Sequence, residues 1–299
     1  MHLIRCATVA VADLNAACER YETYLDYHVC EQGVVPRSLT ARWAADASAG
    51  APYAVLQPAS GRAVFLRFVE QTPHPRYAPL RTFGWNALEL CVRDVASVAE
   101  RLQASPFEII GPPQSIPGLD AILPMQVRGP DQEIVYLTEI RDDLPEFRLP
   151  RADSLIDSLF ILVMGCRDLD KSRDWLAQYL RLDVGRERMI IPYRMISEAY
   201  GLPLDTEHVI ATLAHDRDVF LEVDQYPQAA TSRDAHPDAL PPGISIGSFV
   251  HPEFDAIVAE CEPFLLGRPQ KIDSCVYDGR ASITLRSPDG MLFEIVDAC

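Results

Sequence analysis

Val64-Phe65-Leu66-Arg67 returns about 155 positions later as Val219-Phe220-Leu221-Glu222, with three apolar residues kept in kind and the fourth reversed in charge. The same offset relates Ala12-Asp13-Leu14 to Arg167-Asp168-Leu169, and Tyr24-Leu25 to Tyr179-Leu180. Further along, Ile109-Ile110-Gly111-Pro112-Pro113-Gln114 returns as Leu265-Leu266-Gly267-Arg268-Pro269-Gln270, and Arg128-Gly129-Pro130-Asp131 as Arg286-Ser287-Pro288-Asp289. An offset held across this many segments is the mark of an internal duplication. The chain is two copies of one plan, and interest moves to the positions where the copies differ.

At 299 residues the chain is long enough for about two domains, each with its own core. Its 27 Lys and Arg against 43 Asp and Glu give a net charge of -16, which repels nucleic-acid backbones and anionic membranes. Neither is an expected partner. The cysteines Cys6, Cys18, Cys30, Cys91, Cys166, Cys261, Cys275 and Cys299 form no CxxC pair and no zinc-like spacing, which suits reduced, mostly buried thiols. Met1 to Val11 lacks the features of a secretory signal, and no stretch approaches the roughly 20 apolar residues of a membrane span. A soluble cytoplasmic protein is expected.

Each half divides into two units that begin with a strand and enter a helix through an acidic turn. The strands are Cys6 to Val11, Trp85 to Val92, Leu159 to Cys166 and Ile244 to Val250, with Asp13, Asp94, Asp168 and Glu253 placed to cap the helices that follow. Strand-like runs come after: Tyr53 to Gln57, Ala63 to Val69, Met125 to Val127 and Glu133 to Leu137 in the first half. Their counterparts are His208 to Leu213, Val219 to Val223, Ser282 to Leu285 and Leu292 to Val296. The odd-numbered units carry an extra segment, Arg37 to Ala47 and Tyr193 to Tyr200, each read as a short helix. Such segments can close over a ligand at a barrel mouth or cover a sheet edge.

Four such units, with Cys166-Arg167-Asp168-Leu169-Asp170-Lys171-Ser172 after a first strand and Ser287-Pro288-Asp289-Gly290-Met291-Leu292-Phe293-Glu294 at the end, resemble the vicinal oxygen chelate superfamily. That superfamily includes glyoxalase I, bleomycin-resistance proteins and extradiol dioxygenases. The resemblance implies an α+β fold of two tandem domains, each of two paired βαβββ modules forming a half-open barrel. The first domain would span 1–141, with modules at about 2–72 and 84–141. A linker at 142–154, containing Pro145 and Pro150, leads to the second at 155–299, with modules at about 157–227 and 243–299. Pairing of units across the halves is compatible with the same sequence.

In the family's enzymes a metal is held by His or Gln on first strands and Glu on last strands. The first-strand position, seven residues before the acidic turn residue, falls here on Cys6, Ala87 and Ile161, with Ser245 as the copy of Ala87. None is histidine. The last-strand position gives Arg67, Tyr136, Glu222 and Glu294. A catalytic metal usually takes three protein ligands, so this set predicts no cofactor. Were Fe, Mn or Zn to bind through displaced ligands, His208, Glu222 and Glu294 would hold it.

Strand alternation places Cys6, Arg67, Glu89, Cys91 and Tyr136 on the inner face of the first half, and Phe220, Glu222 and Glu294 on that of the second. Arg67 is then an anchor for an anionic or enolate oxygen, Glu89 a base and Tyr136 a donor. In the bland alternative Arg67 and Glu89 pair across the barrel and only hold it together. Glu222 and Glu294 are an acid-base pair that shifts its own pKa values, or remnants paired with Arg286 or Arg194. Cys6, Cys91 and Phe220 would contact substrate.

The reading that follows is a protein acting on a small oxygenated or aromatic organic acid, by isomerase or lyase proton abstraction without the family's metal triad. The alternatives are a metal-free sequestering protein and an extradiol-type dioxygenase with displaced ligands. A homodimer is expected by resemblance.

Overall fold

The computed structural model describes residues 3–116, 118–144 and 146–299, so Pro145 of the expected linker lies outside the described residues. Four modules follow one another. The first is β1 (Ile4–Val11), α1 (Leu14–Tyr24), β2 (Tyr27–Val34), α2 (Arg37–Trp43), β3 (Pro52–Pro58) and β4 (Phe65–Glu70). The second is β5 (Gly84–Val92), α3 (Val95–Leu102), β6 (Glu108–Gly111), β7 (Ile122–Arg128) and β8 (Ile134–Ile140). The third is β9 (Ile156–Cys166), α4 (Leu169–Tyr179), β10 (Asp183–Pro192), α5 (Arg194–Tyr200), β11 (Glu207–His215) and β12 (Asp218–Gln225). The fourth is β13 (Ile244–His251), α6 (Phe254–Glu260), β14 (Gln270–Lys271), β15 (Ala281–Arg286) and β16 (Leu292–Asp297).

Three of the four acidic turn residues cap as their chemistry dictates. The carboxylates of Asp13, Asp94 and Asp168 accept backbone N–H bonds from the first turns of α1, α3 and α4. Glu253 makes no such bond, its longer side chain reaching instead to Arg181. The polar strands β2 and β10 escape the apolar pattern because both are sheet edges with largely exposed faces.

The strands form two eight-stranded sheets, ordered β14-β15-β16-β13-β1-β4-β3-β2 and β10-β11-β12-β9-β5-β8-β7-β6. Module pairing thus runs across the halves: the first module joins the fourth through antiparallel β1 and β13, and the second joins the third through antiparallel β5 and β9. This corrects the expected pairing within each half. All four seam strands are buried along their whole length, so either pairing hides the same apolar residues. The choice lies in packing between strands remote in sequence.

One face of each sheet packs toward a large shared core that includes Trp85, Leu162, Phe249 and Phe293. Trp85 of the second sheet stacks edge-on against Phe293 of the first and donates its indole N–H to the Leu292 carbonyl, 2.9 Å. Gly247 sits at this seam, where a Cβ would lie 2.8 Å from the Trp85 ring. The opposite face of each sheet curls around its own cluster, and these two inner faces differ.

Candidate functional site

The inner face of the second sheet encloses a cavity of about 380 Å³. Its floor carries Glu89 from β5, Tyr136 and Thr138 from β8, and Glu222 from β12, with Tyr193 reaching in from the residue before α5. Its walls are apolar, among them Ile140, Phe160, Ile161 and Ile210. Residues from β10 and from the segment after β6 line it together, so the two ends of the strand order converge on one space. Leu144, Phe147 and Leu149, from the expected linker, also line it.

The polar groups on the floor form a chain. Tyr193 donates its hydroxyl to Glu222 Oε1 at 3.0 Å, and Tyr136 is bonded to the Tyr193 hydroxyl at 2.7 Å. Because Tyr193 has one proton and gives it to the carboxylate, Tyr136 is the donor of that second bond. Glu222 in turn bonds Asp224, two positions on along the same strand. Burial raises the Glu222 carboxyl, against the pull of Tyr193 and Asp224. Burial and then Glu222 push Asp224 well up, so the pair shares a proton.

Glu89 completes the set. Burial first, then the neighbouring Glu222, push it up to about 8, although Thr138 donates to its Oε1 at 2.6 Å. A carboxyl poised near neutrality in an apolar cavity can take or give a proton at physiological pH. The arginines at the cavity, Arg186 and Arg194, are paired with Glu146 and Glu198 respectively.

The inner face of the first sheet is filled by its own side chains. Arg67 and Glu294 meet there at 2.8 Å with 2% and 0% of their side chains exposed. Glu294 Oε1 accepts from Trp43 Nε1 (2.8 Å) and the Tyr277 hydroxyl (2.6 Å), and Oε2 from Arg67 (2.8 Å) and Ser248 (2.6 Å). Arg67 also bonds Thr8 and Tyr277 and lies over the Trp43 ring. Burial alone would raise the Glu294 carboxyl, but Arg67, Arg42, Ser248 and Trp43 hold it down to about 2. Both oxygens of Glu294 thus take two donors each from within the protein.

No family model matches the chain, and no curated protein matches it. Among solved structures, glyoxalase I from Zea mays superposes over 98% of this chain and 92% of its own, with a TM-score of 0.65 and 16% identity. A dioxygenase-like protein from Bacillus subtilis superposes over 99% of this chain and 85% of its own, with a TM-score of 0.64 and 12% identity. The chain has the vicinal oxygen chelate fold.

The fold's metal positions can be tested against the donors present. In the first sheet, Cys6 is fully buried with its thiol pushed up to about 12 by burial, and Glu294 already has four donors on its two oxygens. The guanidinium of Arg67 is the cation that faces this carboxylate. In the second sheet the first-strand positions are Ala87 and Ile161, which offer no donor atom. Among the described residues, no three His, Cys, Asp or Glu side chains converge as a metal cluster would. The residues do not fit the metal site that the fold carries in the enzymes.

Several sequence expectations are corrected by this geometry. Arg67 pairs with Glu294 rather than Glu89, because β4 and β5 lie in different sheets. Glu222 and Glu294 are separated for the same reason, so they are not one acid-base pair, and neither bonds Arg286 or Arg194. The displaced ligand set His208, Glu222 and Glu294 is likewise split between sheets. His208 bonds the Ser197 hydroxyl at 2.9 Å, fastening α5 to β11, and burial lowers its pKa.

Phe220 faces the shared core and touches Phe249, not the cavity. A register shift between Leu213 and Ala214 marks a bulge opposite Phe220, which turns Val219 inward beside Glu222. Cys91 is buried and its thiol is pushed up to about 12, chiefly by burial. It belongs to the inner cluster but not to the cavity wall. Glu89, Tyr136 and Glu222 do come together. Asp224 went unnoticed in the sequence, although it follows Glu222 by the two-residue step of one strand face. Tyr193 was legible only as part of a covering segment.

Proposed function

We propose that the cavity of the second sheet binds a small oxygenated or aromatic compound and abstracts a proton next to its carbonyl, as an isomerase or lyase does. The observation that carries this is the convergence of Glu89, Tyr136, Tyr193 and Glu222 on one apolar cavity. Glu89 is the base: its Oε1 is held by Thr138, which leaves Oε2 for the ligand. The enolate oxygen that forms needs a donor, and the hydroxyl of Tyr193 or Tyr136 can swing to it from the chain on the floor. Glu222, backed by Asp224, gives a proton to the product; Glu89 then releases the proton it took to solvent, from which the Glu222–Asp224 pair is reprotonated.

Floor carboxyls repel a carboxylate, so an organic acid would lie with its reacting carbonyl inward and its acid group at Arg186 and Arg194, displacing their partly exposed partners Glu146 and Glu198. The first sheet's inner face, filled by Trp43, Arg67 and Tyr277, takes no part. No step runs through a metal, since the donors present do not fit one.

A second reading rests on the extent of apolar wall: the cavity sequesters an aromatic compound without turnover. One experiment separates the two. Aromatic ketones, keto acids and hydroxy acids are incubated with the protein in D₂O and followed by proton NMR. Proton abstraction washes deuterium into the carbon next to the carbonyl, and Glu89→Gln slows this by about 10²-fold or more. Ligand binding without exchange, unchanged by Glu89→Gln, supports sequestration and refutes the enzyme reading.

A further inference from the structure

Cys30 and Cys275 stand 245 positions apart in the chain, yet their sulfurs lie 3.7 Å from each other. Cys30 is on β2, at one end of the first sheet's strand order, and Cys275 is in the segment between β14 and β15 at the other end. The sheet curls until its edges meet at these two thiols. The backbone at Cys275 is already held in place. The Cys275 N–H donates to Glu31 at 2.7 Å, and Tyr53 donates to the other oxygen of Glu31 at 2.6 Å. Arg5 donates to the carbonyls of Cys275 and Val276, each at 2.6 Å.

We propose that Cys30 and Cys275 are a modification site, joined as a reversible disulfide by a peroxide and released by a dithiol. A disulfide needs its sulfurs at about 2.05 Å, so closure asks for less than about 2 Å of side-chain movement. Cys30 is exposed and reachable, whereas Cys6, Cys18, Cys91, Cys166 and Cys261 are buried. The hydrogen bond from Cys275 also lowers the Cys30 thiol, favouring it as the attacking sulfur.

The chemistry balances without any further reagent. The Cys30 thiolate attacks one peroxide oxygen and breaks the O–O bond, giving a sulfenic acid, and the departing hydroxide takes a proton to become water. The Cys275 sulfur then attacks Cys30, the S–O bond breaks, and a second water leaves with the Cys275 proton. Two thiols lose two electrons and two protons, and the peroxide becomes two waters. The bond ties the two edges of the sheet and fixes the segment carrying Tyr277, which bonds both Arg67 and Glu294. The site is therefore a clasp over the filled barrel, separate from the cavity of the second sheet.

The test uses the full chain, treated with one equivalent of hydrogen peroxide and then alkylated. Non-reducing peptide mapping is expected to link the Cys30 and Cys275 peptides in a monomer, with two thiols lost and the intact mass lower by two hydrogens. Thermal unfolding should shift upward by several degrees, fall back with dithiothreitol, and show no shift in Cys30→Ser or in Cys275→Ser. A sulfinic acid on Cys30 beside a free Cys275, a dimer linked through the exposed Cys299, or a link without a thermal shift would each overturn the clasp.

Discussion

Replacing Arg67 with methionine removes the cation from a buried ion pair while keeping most of its volume. Glu294 is then left with 0% of its side chain exposed and without its charged partner. Breaking a buried pair from one side costs roughly 3–5 kcal/mol. A second route reaches a similar figure: a carboxyl held at about 2 rather than at its ordinary 4.5 corresponds to about 3 kcal/mol of linkage at neutral pH. The sign follows from the depressed pKa. The stabilisation is fully present above pH 4.5 and is lost as pH falls toward 2, because the unfolded chain takes up its proton first. Urea unfolding of both proteins between pH 3 and 7 measures the difference. The variant should lose several kcal/mol at pH 7 and show a smaller pH dependence on the acid side. A stability loss below about 1 kcal/mol, or unchanged stability with abolished deuterium exchange, would refute the reasoning and return Arg67 to the active site.

Other outcomes follow from the second sheet. Glu89→Gln should flatten the pH dependence of stability between 4.5 and about 8. The wild-type carboxyl keeps its proton in the folded state to about 8, so unfolding becomes easier as pH rises through that window, and parallel denaturant titrations at pH 5 and 8.5 read the change. Tyr193→Phe removes the hydroxyl that links Tyr136 to Glu222 and should slow deuterium exchange about 10–100-fold while leaving the fold intact by circular dichroism. Phe220→Ala should cost about 3–5 kcal/mol of stability, measured by chemical unfolding, and should leave ligand affinity unchanged under conditions where it stays folded, because the ring packs in the shared core.

How much of this was legible depended on the range of the interaction. Asp13, Asp94 and Asp168 were readable as caps because a cap is a contact over three residues. Strands β1, β5, β9 and β13 were readable from alternate apolar residues, whereas β2 and β10 were not, since an exposed edge strand tolerates polar residues on both faces. Glu89, Tyr136 and Glu222 were placed inward by alternation alone, and they share the cavity. The same alternation misplaced Phe220, because a bulge changes the face without leaving a sign in the residue pattern.

The sequence by itself determined four modules, their order, and the α+β character of each, because duplication, capping and apolar periodicity are local or self-similar properties. Tertiary structure decided which modules share a sheet, and with that the fate of every charged residue inside. β1 sits beside β13, which gives Arg67 to Glu294 and seals one barrel. β5 sits beside β9, which gives Glu89 to Glu222 and leaves the other barrel open. Seam strands buried along their whole length have no exposed face to set against a buried one, so complementarity across the interface makes the choice.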